Sequence, residues 1–138
     1  PVRQSPRVQY SVSLPSSRFR TRSARKRRSA SEWVTYRTGT PIISCLGTGN
    51  RLDATQFEIC DIFKTSGCPL ARKMRCELKK AGVIRLEVLY SKAPVIQPEN
   101  EIYDGGKRTV GSISYVPSTA GLLLAQHVIT RLLEENRN

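Results

Sequence analysis

The spacing of hydrophobic positions changes along the chain, and the changes mark elements. Residues 1–40 sustain no period. At Pro41 the character shifts. "PIISCLG" is a short apolar run closed by a glycine, the pattern of a buried strand of the parallel kind running into a loop. "GTGNRLDAT" is loop by its glycines, Asn50 and Asp53. "TQFEICDIF" alternates, with Phe57, Ile59 and Asp61 on one side and Glu58, Cys60 and Ile62 on the other, which predicts a strand.

"KTSG" makes a turn, and Pro69 suits the first position of a helix, where its missing N–H costs nothing. The spacing predicts a helix up to Ala81 that stops at Gly82. Leu70, Met74, Leu78 and Ala81 form one apolar stripe. Arg72, Lys73, Arg75, Lys79 and Lys80 cover the rest, with Glu77 among them. "VIRLEVLYS" predicts the next strand, 92–110 a long loop with Gly105-Gly106, and "GSISYVP" a last strand. Ser118 is expected to cap a final helix whose broad apolar face comprises Leu122, Ala125, Ile129, Leu132 and Leu133. The order strand, strand, helix, strand, strand, helix implies an α/β fold with a mixed sheet, the later part of a Rossmann-like arrangement.

Charge divides the chain at the same place. Of the net +12, residues 1–40 hold ten Lys/Arg against Glu32, hence +9; residues 41–138 hold thirteen against ten acids, hence +3. Block 1–38, with "SARKRRSAS" inside it, reads as a disordered basic segment, and 39–138 as the folded unit. No long apolar run predicts a membrane helix, and the basic N-terminus lacks the apolar stretch of a secretory signal. A start at Pro1 suits a piece of a longer protein.

The four cysteines, Cys45, Cys60, Cys68 and Cys76, form no C-x-x-C pair, and His127 is the sole histidine. No metal site is expected. Free thiols in a cytoplasmic protein are the simpler reading. Cys68, near a helix start and Lys64, is the candidate reactive thiol. His127 is expected to be structural or exposed rather than catalytic. "GTGNRLD" has glycines, but a strand follows it, so it fails as a dinucleotide-binding loop.

Three further groups of residues carry a resemblance: the Gly-Asn-Arg-Leu-Asp loop at 49–53, Lys64-Thr65 followed by Pro69-Leu70-Ala71-Arg72, and Gly111-Ser-Ile-Ser with Val116-Pro117 and Ala120-Gly121 at the end. In this order and spacing, residues 39 to 134 resemble the ubiquitin-activating-type adenylating proteins of the ThiF, MoeB and HesA group, and within it the tRNA threonylcarbamoyladenosine dehydratases. The resemblance implies the C-terminal part of a ThiF-type fold. It also implies a family that uses ATP and Mg²⁺ to adenylate a carboxylate on tRNA before ring closure, with tRNA as partner and room for a homodimer. The family's ATP site lies in an N-terminal half not visible here. No cofactor is therefore expected for this chain alone, no residue is assigned as catalytic, and the chain alone is expected to be inactive.

The same family carries, upstream of its "PIIS" strand, a segment close to Asp-Thr-Val-Ser-Ala-Lys-Ala-Ala-Leu. Codons for Arg20 through Ala30, read from their third bases, can spell it. A shifted reading frame is thus the expected origin of the basic block, against a true basic arm that grips phosphate.

For substrate contact the expected residues are Asn50, Arg51 and Asp53 in the loop, Lys64 and Thr65 at the turn, and Arg72 and Arg75 on the helix. Two other functions stay open. One is a ThiF/MoeB-type activator of a ubiquitin-like sulfur carrier; the other is a non-catalytic basic nucleic-acid-binding module.

Overall fold

The computed structural model of the chain describes residues 11–13, 41–97, 99, 103–104 and 107–137. The expectations for residues 1–38 fall outside these, apart from Ser11–Ser13. Those three residues form an edge strand, β1.

Four strands build the main sheet: β1, β2 (Ile42–Cys45), β3 (Phe57–Asp61) and β4 (Glu87–Ser91), in the order β1-β2-β4-β3. β1 and β4 run parallel to β2, and β3 runs antiparallel to β4. The mixed α/β sheet expected from the sequence is therefore present. A 3-10 turn at Ile62–Lys64 leads towards helix α1 (Pro69–Lys80), and helix α2 (Tyr115–Glu135) closes the described chain.

Alternation along the strands sorts side chains into two cores. Ile42, Leu46, Val88, Tyr90 and Cys60 pack with Ala71, Met74 and Leu78 of α1. Ile43, Cys45, Leu89, Phe57 and Ile59 pack with Ala120 and Leu124 of α2. The register explains this, because Ile43 pairs with Glu87 and Cys45 with Leu89, so same-face residues line up across the sheet. Three layers result, helix on sheet on helix.

α1 ends as its sequence indicates. Gly82 takes φ +75, its N–H bonds to the carbonyl of Lys79, and the N–H of Val83 bonds to that of Leu78. That motif also shortens the predicted strand at 83–91. Residues 83–86 carry the chain from the helix end to the sheet, and only Glu87–Ser91 pair as β4.

The expected strand "GSISYVP" is not formed. Residues 109–114 are irregular, and α2 begins at Tyr115, with Ser114 rather than Ser118 at its cap. Pro117 lies in the first turn, where a missing N–H is harmless. Ser118 instead donates its hydroxyl back to the Ser114 carbonyl. The apolar face of α2 is also different from the one expected. Val116, Ala120 and Leu124 are buried, while Leu122 is 72% exposed and Ile129 and Leu133 face outward. The segment expected as a long loop contains a two-stranded antiparallel ladder, β5 (Tyr103–Asp104) with β6 (Lys107–Arg108).

Candidate functional site

The parallel strands β2 and β4 end at one edge of the sheet. In open α/β sheets that carboxyl edge is where ligands sit. Here it is occupied by the loop that follows β2, tied down by residues far away in sequence. Asn50, at φ +56, accepts the Gly111 N–H on its side-chain oxygen at 2.7 Å, and its own N–H bonds to the Gly111 carbonyl. Asn tolerates this left-handed backbone better than most residues. The carbonyl of Asn50 accepts from Ile96, and the carbonyl of Leu52 accepts from the Tyr115 hydroxyl at 2.8 Å. A Cβ on Gly49 would collide with the Val110 side chain, which would have to shift.

Both helices bring their N-terminal ends to this loop. The Leu70 side chain in the first turn of α1 lies 3.9 Å from where a Cβ on Gly47 would stand. Tyr115 opens α2. The opposite, amino edge of β4 receives the 3-10 turn, since Asp61 pairs with Glu87 and the Ile62 N–H bonds to the Leu86 carbonyl.

The seven expected contact residues therefore fall into two places. Asn50, Arg51 and Asp53 share the carboxyl-edge loop, and Arg72 stands exposed near the start of α1. Lys64, Thr65 and Arg75 belong to the turn. Arg75 donates to the Thr65 carbonyl at 3.0 Å, to the Thr65 hydroxyl at 2.5 Å and to the Ile62 carbonyl at 3.4 Å. Thr65 in turn donates its hydroxyl to the Ile62 carbonyl. Arg75 and Thr65 thus pin the turn to α1, while Lys64 stays exposed.

Within the loop the three residues differ. The Asp53 carboxylate accepts from the Thr55 hydroxyl and N–H and from the Gln56 amide. These bonds, led by that of the Thr55 hydroxyl, hold its pKa below the ordinary carboxylate value. Arg51 is buried, an uncommon place for an arginine.

The four cysteines form no disulfide with one another: Cys45 and Cys68 are buried, Cys60 half-buried and Cys76 exposed. Cys68 caps α1, its sulfur accepting the Ala71 N–H at 3.5 Å. Burial, then the charge of Glu58, pushes the Cys60 thiol up. His127 meets Glu87 at 3.1 Å, and Arg131 meets the same carboxylate at 3.0 Å, which fastens α2 to β4. Lys92 pairs with Glu58, which raises the lysine's pKa. Among the described residues no three His, Cys, Asp or Glu groups come close enough to hold a metal. None of the described helices is long and apolar enough to cross a membrane.

No family profile matches the chain. Over 106 residues it is 34% identical to the Bacillus subtilis tRNA threonylcarbamoyladenosine dehydratase, covering 69% of this chain and 42% of the relative. The chain is a relative of the tRNA threonylcarbamoyladenosine dehydratases. It is also 26% identical over 120 residues to dehydratase 2 of Saccharomyces cerevisiae, covering 72% of this chain and 27% of that protein. The Escherichia coli dehydratase, solved in complex with ATP, superposes with a TM-score of 0.70 at 21% identity, over 93% of this chain and 49% of that one. The fold is therefore the dehydratase fold, of which this chain spans half or less.

Proposed function

We propose that this chain is the substrate-facing part of an adenylating enzyme of the tRNA threonylcarbamoyladenosine dehydratase kind, and that alone it does not bind ATP. Kinship to the Bacillus subtilis dehydratase over part of that protein's length carries the reading. In this reading Asn50, Arg51, Asp53 and Arg72 meet the substrate at the carboxyl edge. An RNA strand is long enough to reach Lys64, Thr65 and Arg75 on the turn as well. The basic outer face of α1 supplies salt-sensitive attraction to its phosphates.

Two features of the described residues support the reading that this chain alone does not hold ATP and Mg²⁺. The Gly47–Gly49 loop leads into a strand and not into a helix, so no helix N-terminus directly follows it to cradle phosphates. No carboxylate cluster stands ready for a divalent ion among the described residues. A carboxylate becomes a useful electrophile only once it carries a good leaving group, and attaching one needs nucleotide and acceptor held together. In this reading these residues do not supply that alignment by themselves.

Titration calorimetry with Mg-ATP tests the reading directly. No saturable heat is expected for this chain, while tRNA binds weakly and is released by salt. Saturable ATP binding at micromolar affinity overturns it.

A further inference from the structure

The amino edge of β4, away from the carboxyl-edge loop, carries a hollow of about 290 Å³ lined by Phe63, Lys79, Gly82, Val83 and Ile84. Local rules build its walls. Gly82, at φ +75, ends α1 and turns the chain back towards β4. Past that turn Val83 is buried and Ile84 is 79% exposed. Phe63 belongs to the 3-10 turn and packs half-buried against the core under α1. Its N–H is held by the Asp61 carboxylate at 2.8 Å, and Arg75 fastens the same turn to α1. The chain's own bonds thus hold the walls in place.

The chemistry of the hollow is apolar with a cation set into it. The Lys79 ammonium stands 5.8 Å from the centroid of the Phe63 ring, over its face. Next to the lining residues in sequence are Lys64, Lys80 and Arg85, all exposed. Glu77, the one acid of α1, is engaged with Lys80 at 3.5 Å. Such a surface complements a polyanion that carries flat apolar groups. The volume sits at the lower limit of small-molecule sites, roughly 300–1,000 Å³, which leaves room for one ring system. Lys79 also belongs to the basic outer face of α1, so the hollow continues the surface offered to RNA phosphates above.

We propose that this hollow takes one unstacked base of a single-stranded RNA segment, an assignment that rests on the dehydratase reading for RNA as the partner. The base lies against Phe63 and Ile84, while Lys79 and its neighbouring cations meet the flanking phosphates. This is a second point of contact, at the end of α1 opposite the carboxyl-edge loop. A strand held at both ends of α1 has a fixed direction across it.

The test is fluorescence anisotropy on the whole chain with three labelled probes at matched ionic strength. They are single-stranded hexa-adenylate, the same ribose-phosphate strand without bases, and an acidic hexapeptide with one central leucine. Hexa-adenylate is expected to bind more tightly than the abasic strand. Phe63→Leu is expected to weaken hexa-adenylate about tenfold, the loss of one stacked base, and to leave the abasic strand unchanged. Ile84→Ser, at an exposed position that does not endanger the fold, should weaken hexa-adenylate about threefold through lost apolar contact, again sparing the abasic strand. Lys79→Gln should weaken both strands and lower the log–log salt slope by about 0.7. Three results overturn the site: equal binding of the two strands, hexa-adenylate affinity unchanged by Ile84→Ser and Phe63→Leu, or preference for the peptide. If Mg-ATP binds saturably while both variants act as expected, the reading of a chain that does not hold ATP fails and the hollow stands. If tRNA binds and is released by salt while neither variant matters, the hollow fails and that reading stands.

Discussion

The two helices that cover the sheet distribute their apolar residues differently. α1, of 12 residues, buries Ala71, Met74 and Leu78 and turns Arg72, Lys73, Lys79, Lys80 and Glu77 outward. α2, of 21 residues, buries Val116, Ala120 and Leu124 yet leaves Leu122, Ile129 and Leu133 exposed. In α1 charge marks the outer face, so only one rotation of the helix keeps cations in water. From Tyr115 to Thr130 α2 carries no Asp, Glu, Lys or Arg. Its apolar residues suit either of two faces about half a turn apart, and tertiary packing makes the choice.

The largest effect that can break this comparison is truncation in the two cores. Leu78→Ala and Leu124→Ala are each expected to cost about 2–5 kcal/mol in urea unfolding, whereas Leu122→Ala should fall within about 0.5 kcal/mol. Equal losses at positions 122 and 124 would mean that α2 is not seated as described.

A smaller effect separates the outer faces. Replacing Arg72, Lys73, Lys79 and Lys80 together by Gln should weaken tRNA binding and flatten its dependence on salt, by up to about 4 in the log–log slope if every one of these cations meets a phosphate. Arg131→Gln on α2 is expected to leave that slope unchanged. Filter binding between low and moderate salt gives both values, and a slope insensitive to the α1 changes removes α1 from the RNA surface.

The smallest effect concerns the loop beneath both helices. The Asp53 carboxyl is held below its unfolded value, so its contribution is complete above that value and disappears as pH falls through the folded one. Wild type should therefore lose stability relative to Asp53→Asn as pH drops below about 4, the ordinary aspartate range. Acid titration followed by far-UV circular dichroism checks it. Parallel acid limbs for the two proteins would show that the Thr55 and Gln56 bonds do not favour the charged form.

How legible each part was follows from the same physics. α1 could be bounded from Pro69 and Gly82 because local rules decide those ends. The strands β2, β3 and β4 announced themselves by alternation or by a continuous apolar run. The start of α2 misled, since Ser-Ile-Ser-Tyr-Val favours a strand locally, and only packing against Ile43 and Leu89 overrides that preference. At the candidate site, Asn50, Arg51 and Asp53 could be named but not their separate environments. The loop is tied through Asn50 and Leu52 to Ile96, Gly111 and Tyr115, and a glycine-rich loop read alone gives no sign of such distant partners.

The ties that close this loop also bear on when it forms. Asn50 and Gly111 are 61 positions apart, and Leu52 and Tyr115 are 63 apart. Bringing such distant segments together costs chain entropy before any bond repays it. β3 and β4 pair through a shorter connection, at a smaller entropic cost. The carboxyl-edge loop is accordingly the part of the molecule that should assemble last and open first. Its amides would exchange with solvent through local openings while those of β4 wait for global unfolding.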